Sequence, residues 1–453
     1  MRITTGTISR MPCKLLVLLL FTIVQNIAAQ GTPSPGENGQ SGLQPGWTIM
    51  FYIRGDNTLE CEALKVFNQL SASPDSSYRS VFVELGRMGS PCDGYEDWQG
   101  IRRFNIRQGM LPTEQSACVP EECGYKKDED MGQRNTLEGF VRWGVRQAHR
   151  EHLMLVMWGH GDATTIWFQI YALSFVAAST DQSVVPADFL HVPAIEGISA
   201  ISGSPSSPLN LDDVKEALTS VVSPNQLDVL VLDACNMGSI EASYELAPAV
   251  QLLVADERTH NPGLWDYASF LNTIGEFPRT AVQAAGAVHD AFTDQFTAAL
   301  GRKLTVVSTD DVGNLVGHIS DLAQDLSAPE SKNILSSARK VASEQTLSGI
   351  PADRIDLGRF LEAILSNPQI SGGSRVKAQM AYQELQHVKA ILPADPPDDF
   401  LSVYFPENYS QWHGDTDLDK CTGDGQHPLA FVCHTCWYNL FQDYFSRPRT
   451  PPC

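Results

Sequence analysis

Apolar positions recur along this chain with two periods, and the switches between them mark out its elements. WTIMFYI (47–53) is a short β-rich run, followed by the turn residues Gly55-Asp56-Asn57 and a helical period from Glu60 to Leu70. SVFVEL (80–85) reads as a second strand. RRFNI (102–106) reads as a third, placed at a sheet edge by its arginines. A Cys- and Gly-rich loop over 107–133 leads into a helix from Thr136 to about Arg150, with Leu137, Phe140, Val141 and Val145 on one face. LMLVMW (153–158) is a buried strand, and a helix from Leu211 to Val221 precedes the strand DVLVLDA (228–234). QLLVAD (251–256), KLTVVST (303–309) and DFLSVYF (399–405) complete the strand set. Strands alternating with helices, several apolar throughout, imply an α/β fold: a mostly parallel sheet with helices on both faces. Beyond residue 311 the pattern is helical, ending in the family of residues around Cys421, Cys433, Cys436 and Cys453 that make up a Cys-rich tail.

Three stretches stand outside this pattern. Arg2, Arg10 and Lys14 precede the ten-residue apolar run LLVLLLFTIV (15–24), and Ile27-Ala28-Ala29 supplies small residues before Gln30. That is the plan of a secretory signal peptide over 1–29; a membrane span needs about 20 apolar residues, so no stable membrane anchor is expected. Residues 30–46 are rich in Gly, Pro and polar side chains and read as a flexible leader. From Gly161 to Val214 there is no Lys or Arg, and ATTIWFQIYALSFVAA (163–178) carries no charge at all. No element of a compact α/β unit calls for this stretch, so 163–206 reads as an insertion, or as a translated intron, within a core spanning 47–310.

Composition narrows the function. The chain of 453 residues carries 53 acidic and 32 basic side chains, a formal charge of −21, which argues against a nucleic-acid partner. Loss of the signal peptide removes three positive charges and no negative ones, and it takes Cys13 with it. Ten cysteines then become nine in an oxidising compartment, and an odd count leaves one unpaired. Eight cysteines besides Cys235 allow 105 connectivities, so the spacing selects none. Cys433-His434-Thr435-Cys436, with His427 nearby, is compatible with zinc, but a structural site usually needs a second ligand pair, and disulfides are the stronger expectation in a secreted chain. Asn408-Tyr409-Ser410 is a glycosylation sequon.

The chemistry concentrates at two strand ends. LMLVMW runs into Gly159-His160-Gly161-Asp162, and DVLVLDA runs into Cys235-Asn236-Met237-Gly238. Ligands of open parallel sheets bind outside the C-terminal ends of the strands. If these two strands are neighbours, an imidazole and a thiol meet there, and the base can hold the thiolate, the nucleophilic form. The Gly161 and Cys235 N–H groups would then be placed to stabilise an oxyanion. Taken singly, a cysteine ending a strand is more often a small core residue or half a disulfide, and such a histidine is often merely hydrogen-bonded.

WGHGD (158–162) followed by VLDACNMG (231–238) resembles the clostripain family of cysteine peptidases, relatives of the caspase and gingipain folds. WTIMFYIRGDNTLE (47–60), NTLEGFVRW (135–143), LNLDDVKEAL (209–218), VADE (254–257), PGLWDY (262–267) and FLSVYFPEN (400–408) follow in that family's order. The resemblance implies a caspase-like fold, His160 as general base and acid, and Cys235 as nucleophile. It also implies substrate binding by Asp233, and less strongly by Asp256, in a pocket for Arg or Lys before the scissile bond. Protein or peptide substrates follow from it, no cofactor is required, and calcium is possible on the resemblance alone, because no EF-hand spacing is present. Two departures stand out. The only Lys or Arg between His160 and Cys235 is Lys215, inside a predicted helix, where the family commonly self-cleaves. The insertion also begins three residues past His160. A peptidase with another preference, for instance for Asn, and an inactive disulfide-stapled binding protein are the competing expectations.

Overall fold

Five of the apolar runs stand side by side as parallel strands: β1 (Gln44–Gly55), β2 (Arg79–Arg87), β4 (Arg150–Trp158), β7 (Leu227–Asp233) and β8 (Val250–Ala255). β3 (Gly100–Asn105) and β9 (Thr305–Ser308) close the two edges in antiparallel sense, giving a seven-stranded sheet in the order β3-β2-β1-β4-β7-β8-β9. The computed structural model describes residues 43–148, 150–161, 165–166, 207–259, 265–292, 304–345, 353–389, 401–410 and 429–446. The expected signal peptide, the leader before residue 43, and the insertion apart from Thr165–Ile166 lie outside the described residues.

The runs are apolar throughout because both faces of the sheet are covered, the requirement of a parallel sheet. In β1, Met50 and Tyr52 point to one face, while Ile49, Phe51 and Ile53 point to the other. The second face packs on α1 (Glu60–Ala72) through Ala63, Leu64 and Phe67, on α5 (Tyr267–Gly275) through Phe270 and Leu271, and on α6 (Ala281–Asp290). The first face packs on α2 (Arg134–Ala148), α3 (Leu211–Val222) and α4 (Ile240–Leu246). Helices α7 (Val312–Leu326), α8 (Lys332–Gln345), α9 (Leu357–Ser366) and α10 (Gly372–Lys389) join that same apolar cluster, so the C-terminal segment shares the core of the sheet. Among the described residues no helix is long and apolar enough to cross a membrane.

β3 is an edge strand, as expected, but its arginines are not there to face water. Arg102 and Arg103 are both buried. Arg103 donates from Nε to Glu84 Oε2 at 2.5 Å and from Nη1 to the carbonyls of Cys123 at 2.9 Å and Gly139 at 3.2 Å. Its guanidinium also lies over the rings of Tyr125, Phe140 and Trp143. The loop 107–133 and α2 cover this edge, which turns a solvent-facing strand into an interior one. Burial pushes the Glu84 carboxyl up to about 7 against the opposing pull of Arg103. A carboxyl raised on folding stabilises the fold below its ordinary value of 4.5 and loses that contribution as pH climbs through about 7. Thermal unfolding of Glu84→Gln is therefore expected to lose part of the wild-type decline in Tm between about pH 4.5 and 7. Parallel Tm–pH curves for the two proteins would reject this assignment.

The DFLSVYF run does not join the main sheet. Its extended part is β11 (Ser402–Tyr404), which pairs antiparallel with β10 (Arg354–Asp356) in a separate two-stranded ribbon. An apolar run marks a buried strand but not its partner. Here the main sheet already ends at β9. The Ser402 N–H donates to the Gly238 carbonyl at 2.9 Å and the Tyr404 N–H to Glu241 Oε1 at 2.7 Å, which seats β11 on the chain following Cys235.

β5 (Thr165–Ile166) pairs antiparallel with β6 (Leu209–Asn210), joining the two sides of the expected insertion. Next to this neck, Ser207 is fixed from three directions. Its N–H and hydroxyl bond the Asp130 carboxylate, its carbonyl accepts from Arg54 Nη1 at 2.9 Å, and Gly132 lies so close that a Cβ there would come within 1.7 Å of the Ser207 oxygen.

Candidate active site

The last pair of the β4–β7 ladder is Trp158 with Asp233. His160 and Cys235 each follow that pair by two residues, so the neighbouring strands deliver imidazole and thiol at equivalent positions beyond the sheet's C-terminal edge. β2 and β4 flank β1 on opposite sides, and the helices α1 and α2 cover opposite faces, so the crevice of an open α/β sheet falls between the ends of β1 and β4, beside His160. The Gly159 N–H donates to the Asp233 carbonyl at 3.1 Å, continuing the pairing past the strands. Gly161 then packs directly on the cysteine loop. A Cβ at Gly161 would sit 2.7 Å from the Cys235 oxygen and 2.8 Å from Ala234 Cβ, so no larger residue fits without shifting backbone. Immediately after the thiol, Asn236 adopts φ +61°, a left-handed conformation that Asn tolerates better than most residues. Its N–H is held by the Arg258 carbonyl at 3.0 Å, and the Gly238 N–H by that of Asp256 at 2.7 Å. The chain therefore turns sharply at Cys235 and is tied down on both sides by the loop after β8.

His160 and Cys235 are both half-buried. Thr58, on the loop between β1 and α1, places Oγ1 3.2 Å from His160 Nε2. Burial, and then the positive charge of Arg54, hold the imidazole below its ordinary value, which keeps it in the neutral form that can accept a proton. Arg54 is itself held by Asp56 at 2.9 Å.

Asp233 and Asp256 lie beside these groups and are both almost fully enclosed. The Tyr267 hydroxyl donates to Asp233 Oδ2. Burial and the Asp233 charge push the Tyr267 phenol well above its ordinary range, so it remains a donor. Asp256 Oδ1 accepts from the Arg258 N–H at 3.0 Å, and Arg258 pairs with Glu257 at 3.2 Å. The structure thus gathers His160, Gly161, Cys235, Asp233 and Asp256 at one edge. Asn408 is exposed after β11 and stands apart from that set. Thr58, Arg54, Asn236 and Tyr267 were not singled out from the sequence. Thr58 and Tyr267 lie within WTIMFYIRGDNTLE and PGLWDY, but nothing in those strings aims them at His160 or Asp233.

The cysteine arithmetic needs correction. Cys61 is bonded to Cys92 and Cys118 to Cys123, and Cys433 is also in a disulfide. Among the described residues two thiols, not one, stand outside disulfides: Cys235 and the buried Cys436. Disulfide bonding of Cys433 removes the thiolate a Cys433–Cys436 zinc site would need. Cys421, Cys453 and His427 lie outside the described residues. Lys215 is in α3 as expected, its ammonium paired with Glu245. Among the described residues one group has metal-ligand spacing: Asp311, Glu384 and His387, on the α7 and α10 side of the molecule. There the His387 Nε2 lies 3.2 Å from Asp311 Oδ2.

The clostripain family model matches residues 202–386. The match begins within the expected insertion, includes Cys235, Asp233 and Asp256, and leaves His160 outside. Three solved protease structures also align with the chain. A secreted C11 cysteine protease from Bacteroides thetaiotaomicron, solved with an irreversible peptide inhibitor, is 14% identical, with 75% of this chain and 82% of that chain covered and a TM-score of 0.47. An inactive zymogen C11 protease from Parabacteroides distasonis is 10% identical, with 83% and 86% covered and a TM-score of 0.49. A B. fragilis cysteine protease is 16% identical, with 52% and 98% covered and a TM-score of 0.31. No curated protein sequence matches the chain.

Proposed function

We propose that this protein is a secreted cysteine endopeptidase that cleaves after Arg, and less readily after Lys. The observation that carries the reading is the pair of equivalent strand ends: His160 and Cys235 two residues beyond the Trp158–Asp233 pair, with Gly161 packed on the Cys235 carbonyl. In this reading the neutral His160 takes the Cys235 proton and the thiolate attacks the scissile carbonyl. The N–H groups of Gly161 and Cys235 meet the developing oxyanion, and the proton held on His160 passes to the departing amine. The enclosed Asp233 carboxylate, oriented by Tyr267, supplies the charge for a guanidinium, which can bond bidentately where an ammonium cannot; Asp256 adds negative charge beside it. Secretion is supported by the signal-like N-terminus and by the disulfides, which persist in oxidising compartments.

A panel of fluorogenic peptides ending in Arg, Lys or Asn, read together with thiol-directed labelling of the native protein, tests this. Cleavage after Arg, with labelling at Cys235, is the expected result. Cleavage after Asn alone would leave the dyad and discard the pocket assignment. No cleavage, with Cys235 refusing the label, would favour the disulfide-stapled binding protein.

A further inference from the structure

Thr58 belongs to a loop whose conformation is set several times over. Asn57 Oδ1 accepts the Leu59 N–H at 2.8 Å, Asn57 Nδ2 donates to the Arg54 carbonyl at 3.1 Å, and the Glu60 N–H bonds the Asn57 carbonyl at 3.2 Å. Three residues past Thr58, the Cys61–Cys92 disulfide ties the first turn of α1 to the segment after β2. In the same turn, the Glu60 carboxylate accepts from Arg87 Nε at 2.8 Å and from the N–H groups of Gly89 and Ser90, each at 3.0 Å. Thr58 itself is exposed, so packing does not require its hydroxyl. That hydroxyl nevertheless sits 3.2 Å from His160 Nε2.

We propose that Thr58 is the positioning residue of His160, accepting the Nε2 hydrogen so that Nδ1 carries the lone pair that takes the Cys235 proton. The inference rests on the reading of His160 and Cys235 as the reacting pair. A neutral imidazole has one N–H and one lone pair, so occupying Nε2–H fixes the tautomer. In the step itself the Sγ–H bond breaks as Nδ1–H forms, and the sulfur electron pair then makes the C–S bond to the carbonyl carbon. As the C–N bond breaks, the Nδ1 proton moves to the departing amine. The Nε2 hydrogen stays on the ring throughout, donated to Thr58 Oγ1. Histidine in cysteine hydrolases needs such an orienting group less than in serine hydrolases, because a thiol ionises more readily, so the expected effect is moderate.

Thr58→Val preserves shape and removes the acceptor; Thr58→Ser preserves the acceptor. For Thr58→Val, kcat is expected to fall about tenfold with KM within about twofold of wild type, the size of one net hydrogen bond. The Tm should stay unchanged, and Thr58→Ser should recover kcat to within about threefold. The rate of iodoacetamide alkylation of Cys235 in the native protein should follow the same order, and the ¹⁵N spectrum of His160 should show Nε2 protonated at neutral pH. Wild-type kcat and alkylation rate in Thr58→Val, or an unprotonated Nε2, would overturn the assignment. Alkylation that slows in Thr58→Val and recovers in Thr58→Ser, in a protein that cleaves no peptide, would uphold Thr58 and defeat the peptidase reading instead.

Discussion

Cys235→Ala is expected to lower kcat/KM on an Arg peptide by at least about 10⁴-fold, with little change in thermal stability. Removing the attacking atom of a nucleophilic enzyme leaves only what binding and the oxyanion donors can supply, which is small beside the whole acceleration. The structural cost is low because Cys235 is half-buried. The turn around it is carried by neighbours: the backbone bonds of Asn236 and Gly238, and the enclosed Ala234 and Met237. His160→Ala should fall to a similar floor, and the double variant should go scarcely lower, since the two act as one unit. Cys436→Ala is the control, since that thiol is buried in the C-terminal segment, where the Cys436 N–H donates to Ser320 Oγ at 2.9 Å. The measurement is steady-state kinetics on wild type and the four variants beside their melting curves. Retention of a tenth of wild-type activity by Cys235→Ala would remove Cys235 as the nucleophile.

The second large effect is structural. Arg103→Ala is expected to destabilise the protein by about 3–5 kcal/mol, because it leaves the Glu84 carboxylate buried without its counter-charge. The loss extends beyond the ion pair. Arg103 joins β3 to β2 through Glu84, to the Cys118–Cys123 loop through the Cys123 carbonyl, and to α2 through Gly139. Arg103→Lys should recover only part of the stability, since an ammonium has no planar fork to meet three fixed acceptors or to lie flat over Tyr125. Denaturant unfolding of the three proteins above pH 7 checks this. A loss under about 1 kcal/mol in Arg103→Ala would mean that the edge is held by its apolar contacts alone.

The elements legible in the sequence were those whose information is local. LMLVMW and DVLVLDA read as buried strands because both faces of each are apolar, and position beyond a strand end makes His160 and Cys235 candidates, to which the clostripain resemblance assigns roles. What escaped depends on partners distant in the chain. RRFNI reads as an edge strand, but its arginines point inward, because the carboxylate that draws Arg103 lies on β2 and the aromatics over it on the following loop and helix. DFLSVYF announced a strand, but its partner Arg354–Asp356 is a three-residue segment with no periodicity of its own. Thr58 reads as one more polar residue in a turn. Only the strand order, which sets the loop after β1 beside the end of β4, gives its hydroxyl something to do. Cys436 was concealed because counting thiols assumes that every cysteine but one finds a mate.

The pairing of Thr165–Ile166 with Leu209–Asn210 bears on how this protein accommodates length. Paired strands stand about 4.8 Å apart, so Ile166 and Leu209 are held one strand spacing from each other, a narrow doorway for the chain between them. Closing a longer loop at such a doorway costs only about 0.6 kcal/mol per doubling of its length. Segments can be gained or shed there over evolutionary time while β4, β7 and the two residues beyond them keep their places. The same doorway sets what any linker substituted for 167–206 would have to meet: two ends held one strand spacing apart.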